Sequence, residues 1–298
     1  MKPPFSYYGG KQRMASKIVP LIPKHTVYVE PFAGGATILF AKPWPDVSNT
    51  DHYREVINDT NRNVTNFFSV LRDNGKELCE KLALTLYDET EHKIAKDLKT
   101  ECKIENARRF YVNVQQSFSN TINSGWRRGV FGRNQAASWA TSVERLPQYI
   151  DRMRSVHISC QDALKCIKQW DSPQTFFYCD PPYPNADQGH YKGYTIEDFQ
   201  ALVKTLDECH GSFLLSNYDQ DCIPPDWERF EFSAVASSRG RGGYDRSKKM
   251  DESDQGRKRT EVVWRRFNRT PVRKEIQELY DSGRFNCFVS PKSNLWSW

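Results

Sequence analysis

Apolar and polar positions come in short blocks along this chain, and the blocks recur in one order. The segment HTVYVEPF, from His25 to Phe32, reads as a short apolar strand, Gly34-Gly35 as a turn, and ATILFAK as the start of a helix. EVINDTN predicts a second short strand ending at Asn58-Asp59, and NVTNFFSVLRD after it has helical spacing. The rhythm returns late in the chain. SVHISC reads as a strand ahead of Asp162, and TFFYCD as a strand running into Pro-Pro-Tyr. TIEDFQALVKTLDEC predicts a helix with Thr195 as N-cap, GSFLLSN another apolar strand, and RTEVVWRRF a late edge strand. Strand, glycine turn, helix, then a strand ending in an acid is the outline of a nucleotide-binding α/β half.

Between these halves the pattern changes. Residues 76 to 150 are helical and charged up to about 112, then polar and glycine-spaced through NVQQSFSNTINSGWRRGVFGRNQAASW. Six arginines stand between 106 and 150 against the single acid Glu144. Trp, Phe and Arg interleaved with amide side chains suit a surface that grips nucleic acid, and a solvated loop region is the plainer alternative. Arg127, Arg128 and Arg133 are candidates for guanine edges, and Asn123 or Gln135 for adenine, with simple phosphate contact as the competing role. A second basic run, from Arg239 to Arg269, carries eleven basic and five acidic residues and includes Arg239 and Arg241. Its middle, YDRSKKMDESDQGRKR, is apolar-poor and glycine-flanked, so a mobile loop that orders on DNA is expected there.

Composition narrows the class. The chain has 298 residues, a formal net charge of +6, 38% hydrophobic residues and 13% aromatics, enough for a real core and against wholesale disorder. Nothing approaches the roughly 20 uninterrupted apolar residues of a membrane span, and MKPPFSYYGGKQR has no apolar run of secretory type. Eight cysteines include no CxxC pair, which argues against a zinc ribbon. The expectation is a soluble, cytosolic protein with reduced thiols, no metal and no membrane contact.

The sharpest signal is Asp180-Pro181-Pro182-Tyr183, a tetrapeptide that chance supplies in roughly one chain per thousand of this length. It directly follows a strand, where open α/β sheets place their sites. Two prolines stiffen the turn and remove two backbone donors, leaving carbonyls to accept. Asp180 adds a charged acceptor and Tyr183 a flat ring. Together they make a pocket that receives an NH₂ group and stacks a planar ring; a metal-binding or helix-capping carboxylate is the alternative. The stretch Val29-Glu30-Pro31-Phe32-Ala33-Gly34-Gly35-Ala36 permits close backbone approach after a strand, or simply packs. It is neither GxGxxG nor the phosphate loop, so the ligand need not carry a pyrophosphate. Asp59 stands where a carboxylate accepts from ribose hydroxyls, with an Asx turn as the competing role. Phe5-Ser6-Tyr7-Tyr8-Gly9-Gly10-Lys11 fits a ligand with a ring and a carboxylate.

YYGGK, VEPFAGGA, INDTN, a basic insert and YCDPPY, in that order, resemble the Dam-like DNA adenine methyltransferases, the D12 family of phages and bacteria. The resemblance covers about residues 5 to 270, and RTEVVW after SSRGRGGYDRS is similar to the family's closing segment. It implies a Rossmann-like α/β catalytic domain from residues 1–75 and 151–270. A mostly helical target-recognition insert would occupy 76–150, and 271–298 would be an extension of unassigned role. The implied cofactor is S-adenosylmethionine, contacted by Tyr7, Lys11, Glu30, Phe32, Gly34, Asp59, Asp162 and Asp180. Lys11 would lie near its methionine carboxylate, Asp59 at its ribose and Asp162 near its adenine. Asp180 through Tyr183 would receive the target adenine. The family commonly has Ala where this chain has Tyr8. The implied activity is N6 methylation of a flipped-out adenine in double-stranded DNA, in a bacterial or phage-infected cell and within restriction–modification. Oligomeric state, monomer or weak dimer, is left open. The rivals are methylation of another planar amine (cytosine N4, RNA adenine, a glutamine amide) and a catalytically silent DNA-binding protein. A Rossmann oxidoreductase fails for want of GxGxxG.

Overall fold

A computed structural model describes residues 1–7, 9–43, 53–129, 132–184, 193–234 and 259–267. Their strands form one seven-stranded sheet in the order β3-β2-β1-β4-β5-β7-β6. The strands are β1 (Val27–Glu30), β2 (Arg54–Asn58), β3 (Val156–Ser159), β4 (Thr175–Cys179), β5 (Ser212–Asn217), β6 (Glu228–Ala234) and β7 (Arg259–Arg266). β1 to β5 pair in parallel, and β7 runs antiparallel between β5 and β6. The parallel strands read as near-continuous apolar runs because helices cover both faces; every residue of TFFYC in β4 is buried.

Each element follows from its sequence. The helix α1 (Ala15–Ile18) buries Ala15 and Ile18. α2 (Thr37–Ala41) stops before Pro43, which cannot continue it. Asn61 caps α3 (Arg62–Asp73) by accepting from the Asn63 amide, and the helix buries Val64, Phe67, Phe68 and Leu71 on one face. α4 (Gly75–Ala83), α5 (Glu89–Ile94), α6 (Lys103–Gln116), α7 (Gln135–Glu144) and α8 (Pro147–Met153) follow. On the other face lie α9 (Ala163–Trp170) and α10 (Ile196–Glu208). Thr195 completes a capping box with Asp198 at the start of α10, as its sequence predicts.

Two cores sandwich the sheet. One joins Tyr28, Ile57, Phe176 and Leu214 to α3, α4, α6, α7 and α8, with Phe5 at its centre. Phe5 packs on Phe67, Phe68 and Phe110 at centroid separations of 5.2 to 5.6 Å, which anchors the N-terminal segment. The helices of 76–150 share this core through Leu78, Leu82, Tyr111, Trp139 and Tyr149. The other core joins Val29, Val56, Phe177 and Leu215 to Ile167, Phe199 and Leu202.

One expected position changes. RTEVVWRRF is an inner strand, not an edge. Val262, Val263 and Trp264 are buried in succession because helices or side chains close both faces and strands flank both edges. The edge is β6, whose ERFEFSA alternates charged and aromatic residues in the manner of a half-solvated strand. This placement brings the amino end of β7 to the carboxyl ends of β4 and β5, since Val262 pairs Asn217 and Leu215 pairs Cys179.

Candidate active site

The carboxyl edge of the sheet collects most of the sequence-predicted chemistry. Gly34 sits at φ +48°, a left-handed conformation, and a Cβ there would lie 2.8 Å from the Tyr7 ring. Glycine is needed on both counts. Gly34 N–H donates to Asp59 Oδ2 at 2.9 Å, and Asn61 N–H donates to Asp59 Oδ1 at 2.8 Å. Asn61 Nδ2 also donates to the Tyr7 hydroxyl at 3.1 Å. One carboxylate thus ties the glycine turn after β1 to the end of β2, while Tyr7 packs beneath the turn. Burial pushes the Asp59 carboxyl up to about 6 against the pull of its two backbone donors.

Glu30 ends β1 and is almost fully buried. Its Oε1 accepts from Tyr28 OH at 2.7 Å and from Leu39 N–H at 2.6 Å. The second bond satisfies an amide in the first turn of α2, whose N-cap Ala36 offers no side-chain acceptor. Burial raises the Glu30 carboxyl to about 7. Phe32 is half-buried and meets Tyr194 edge to face at 6.3 Å. Asp162 is exposed at the end of β3 and caps α9 by accepting from Lys165 N–H at 3.0 Å.

The second half of the site surrounds Asp180. Lys11 Nζ donates to Asp180 Oδ1 at 2.7 Å and Oδ2 at 2.9 Å, and to the Gly9 carbonyl at 3.0 Å. The same ammonium lies 3.4 Å from Glu261 Oε1 and 4.9 Å from the centre of the Tyr183 ring. Tyr183 OH donates to Glu261 Oε1, with a longer approach of 3.4 Å to Asp180 Oδ1. The Tyr218 ring meets Tyr183 edge to face at 4.7 Å. Burial raises Asp180 to about 6, opposed by Lys11 and assisted by Glu261. Burial pulls Lys11 down, yet the two carboxylates outweigh it and hold the ammonium charged.

The structure therefore brings Tyr7, Lys11, Gly34, Asp59, Asp180 and Tyr183 to one sheet edge, with Glu30 buried below it. Glu261 was missed by sequence reasoning, although RTEVVW was singled out. An acid between Thr260 and Val262 resembles any half-exposed strand residue until the antiparallel pairing is known. Asn217 was missed as well. It ends β5 fully buried, and its Nδ2 has no hydrogen-bond partner among the described residues. Pro181 is buried, and Pro182 is half-buried at the mouth.

The expected base-reading residues divide differently. Arg127 folds inward: its guanidinium donates to the Gln115 carbonyl and, at 3.3 Å, to Asn120 Oδ1, and Tyr87 OH donates to its carbonyl. Asn123, at φ +63°, exchanges bonds with Asn113 at 2.9 Å in both directions. Gln135 Nε2 donates to the Arg133 carbonyl at 3.0 Å. Arg128 and Arg133 are exposed. Arg239 and Arg241 lie outside the described residues, as do Tyr8 and the segment 271–298.

The sheet with its site defines a class: a Rossmann-like α/β methyltransferase whose strand ends carry a glycine turn, an acid after β2 and a proline-stiffened turn after β4. The family follows. Residues 7–235 match the D12 class N6 adenine-specific DNA methyltransferases, and the chain belongs to that family. It is 23% identical over 281 residues to the type II methyltransferase M.MjaIII of Methanocaldococcus jannaschii, covering 80% of this chain and 92% of the relative. It is 24% identical over 266 residues to the type II methyltransferase M1.LlaDCHI of Lactococcus lactis subsp. cremoris, covering 81% and 90%. A solved rRNA methyltransferase, aviRa of Streptomyces viridochromogenes, overlaps 89% of this chain and 88% of its own at 11% identity and a TM-score of 0.34. The enzyme is an adenine-specific DNA methyltransferase. Among the described residues no helix is long and apolar enough to cross a membrane, and no cluster of three metal-ligating side chains occurs.

Proposed function

We propose that this chain transfers the methyl of S-adenosylmethionine to N6 of an adenine rotated out of double-stranded DNA, at one short recognition sequence. The observation that carries it is the Asp180 carboxylate, held at the carboxyl end of β4 by Lys11 beside the Tyr183 ring. The residues fit the cofactor. Gly34 and Gly35 keep the turn after β1 bare, where a side chain would strike Tyr7 or Phe5. The buried Asp59 carboxylate offers acceptors suited to ribose hydroxyls, and exposed Asp162 suits an amine. Tyr7 and Phe32 add apolar walls. When bound, S-adenosylmethionine supplies an electrophilic methyl on a sulfonium.

The protein's own part is to make a poor nucleophile attack in line. The lone pair of an adenine amine is delocalised into its ring. Hydrogen bonds from its two protons to Asp180 and the Pro181 carbonyl favour a pyramidal nitrogen with a localised pair. Once the new N–C bond has formed, N6 must shed one proton, and Asp180, raised to about 6, is placed to take it. Alignment of bound reactants supplies several kcal/mol of such a barrier, and aimed acceptors add electrostatic help. Rotating the base out costs a few kcal/mol, of which stacking on Tyr183 returns about 1–3 kcal/mol.

Residues 76–150 serve as the target-recognition insert in this reading. Exposed Arg128 and Arg133 face the DNA, while Arg127 and Asn123 hold the loop that presents them. Arg239 and Arg241 add phosphate contacts. The type II relatives favour a place in restriction–modification, in the cytoplasm where the DNA is.

A methylation map tests the proposal. The chain and its Asp180→Ala variant are expressed in a host without adenine methylation, and the DNA is sequenced natively. N6-methyladenine at one short motif, absent in the variant, is the expected result. Cofactor binding without DNA methylation would overturn it in favour of RNA or a silent binder.

A further inference from the structure

The pocket around Asp180 contains a second carboxylate that the reaction does not itself require. Glu261 stands near the amino end of β7, 8% exposed. It reaches the pocket only because β7 is antiparallel and lies inside the sheet, next to β5. Its Oε1 accepts from Tyr183 OH and lies 3.4 Å from Lys11 Nζ. Lys11 in turn binds both oxygens of Asp180. Four side chains from three separate segments therefore close one polar ring: Lys11 of the N-terminal loop, Asp180 and Tyr183 beyond β4, and Glu261 of β7. Burying a carboxylate costs several kcal/mol unless it is paired and hydrogen-bonded, and Glu261 finds both partners within the pocket itself, in Lys11 and Tyr183.

We infer that Glu261 is a positioning residue for methyl transfer: it holds Tyr183 by the hydroxyl and shares Lys11 with Asp180. It thereby fixes the ring on which the target base stacks and the carboxylate that faces its amine. Tyr183 is held by Glu261 at its hydroxyl, by the Tyr218 ring at 4.7 Å and by Lys11 over its face at 4.9 Å. Without the first, the hydroxyl loses its shorter carboxylate bond and keeps the longer approach to Asp180. Lys11 is placed between two carboxylates, so losing one draws its charge wholly to Asp180. The ionisable groups facing Asp180 are Lys11 from the N-terminal loop, Glu261 from β7, Tyr183 and Tyr178 from its own segment, and Glu30 from β1. Among them only Glu261 and Glu30 add negative charge. Glu261 therefore raises the proton affinity of the Asp180 carboxylate, which makes the ionised form a stronger base for the amine proton.

The inference rests on the reading of Asp180–Tyr183 as the target-base pocket, and the experiment separates the two. Methyl incorporation into genomic DNA from a host without adenine methylation is measured with S-adenosylmethionine across pH 5 to 9, and cofactor binding by calorimetry. Glu261→Gln keeps size and an acceptor for Tyr183 but removes the charge. It is expected to lower kcat about tenfold and to move the acid limb of the kcat profile to lower pH, with cofactor affinity within about threefold. Glu261→Ala is expected to lose about a hundredfold, and adding Tyr183→Phe to it should cost little more, because both remove the same bond. A wild-type kcat and acid limb in Glu261→Gln would overturn the inference, as would fully additive losses in the double variant. Activity surviving in Asp180→Ala would overturn the pocket itself instead. Where Glu261→Ala fails to fold, the Glu261→Gln profile decides alone.

Discussion

The carboxyl edge of the sheet and the loop from Ser117 to Arg128 are both dense in polar side chains, yet they are built on opposite terms. In the loop, polar groups spend themselves on one another. His92 bonds Ser117 at 2.8 Å, Asn113 exchanges bonds with Asn123, and Arg127 caps carbonyls of its own neighbourhood. At the sheet edge, carboxylates are desolvated beyond what their partners repay, and Asp59, Asp180 and Glu30 are all held above the usual carboxylate range. Most of the loop's network is paired, although the buried Trp126 Nε1 and Arg127 Nε find no partner among the described residues. An under-compensated one keeps groups poised for a ligand, which is where perturbed ionisation concentrates in enzymes.

The comparison breaks most sharply at Asp180. Asp180→Ala should reduce kcat by more than about a thousandfold while DNA affinity stays within a few-fold, measured by methyl incorporation and by gel shift. Activity within tenfold of wild type would mean that the poised edge is not the reacting one. Proton titration sharpens the same point. With Asp180 at about 6 in the free enzyme, its ionised form is lost as pH falls, so kcat/KM should drop about tenfold between pH 7.5 and pH 5. A profile flat to pH 5 would contradict the assignment.

Gly34→Ala comes next in size. It places a methyl 2.8 Å from the Tyr7 ring in a left-handed backbone. The expected result is about a tenfold loss of cofactor affinity with about 1–3 kcal/mol of stability, read by calorimetry and thermal melting. The two arginines then test the loop. Arg127→Ala should cost about 1–3 kcal/mol of stability through orphaned carbonyls. Arg128→Ala should leave stability unchanged and reduce the slope of log K against log salt by about one. Equal behaviour of the two would remove the distinction between scaffold and contact.

The smallest effect belongs to Glu30. Its folded-state ionisation lies near 7, above the usual range, so the stability it contributes is complete below its unfolded value near 4.5 and is lost as pH rises through 7. Glu30→Gln retains the acceptor for Tyr28 and Leu39 and should shrink that slope of stability against pH. Asp59, raised to about 6, preserves a remainder.

Much of this protein was legible from local signals. Apolar runs marked β1, β2, β3, β4 and β5, with glycine or proline beside β1, β4 and β5, and Thr195 marked its helix, because burial on both faces and capping leave a short-range imprint. DPPY and the Gly34-Gly35 turn, which meet at the carboxyl edge of the sheet, stood out for the same reason: each is a local backbone device. The strand β6 escaped because a half-solvated edge alternates aromatics with charges, as a loop does. Arg127 and Arg128 are neighbours of identical chemistry, and nothing local distinguishes the inward one from the outward one.

The sequence by itself determined the motif order and the family, both of which live in contiguous segments. Tertiary structure alone decided which carboxylates share a cation. Lys11 meets Asp180 across 169 residues, and Glu261 meets Tyr183 across 78. Those meetings depend on the antiparallel insertion of β7 beside β5. Strand order is set by the packing of whole faces, and no single segment carries it.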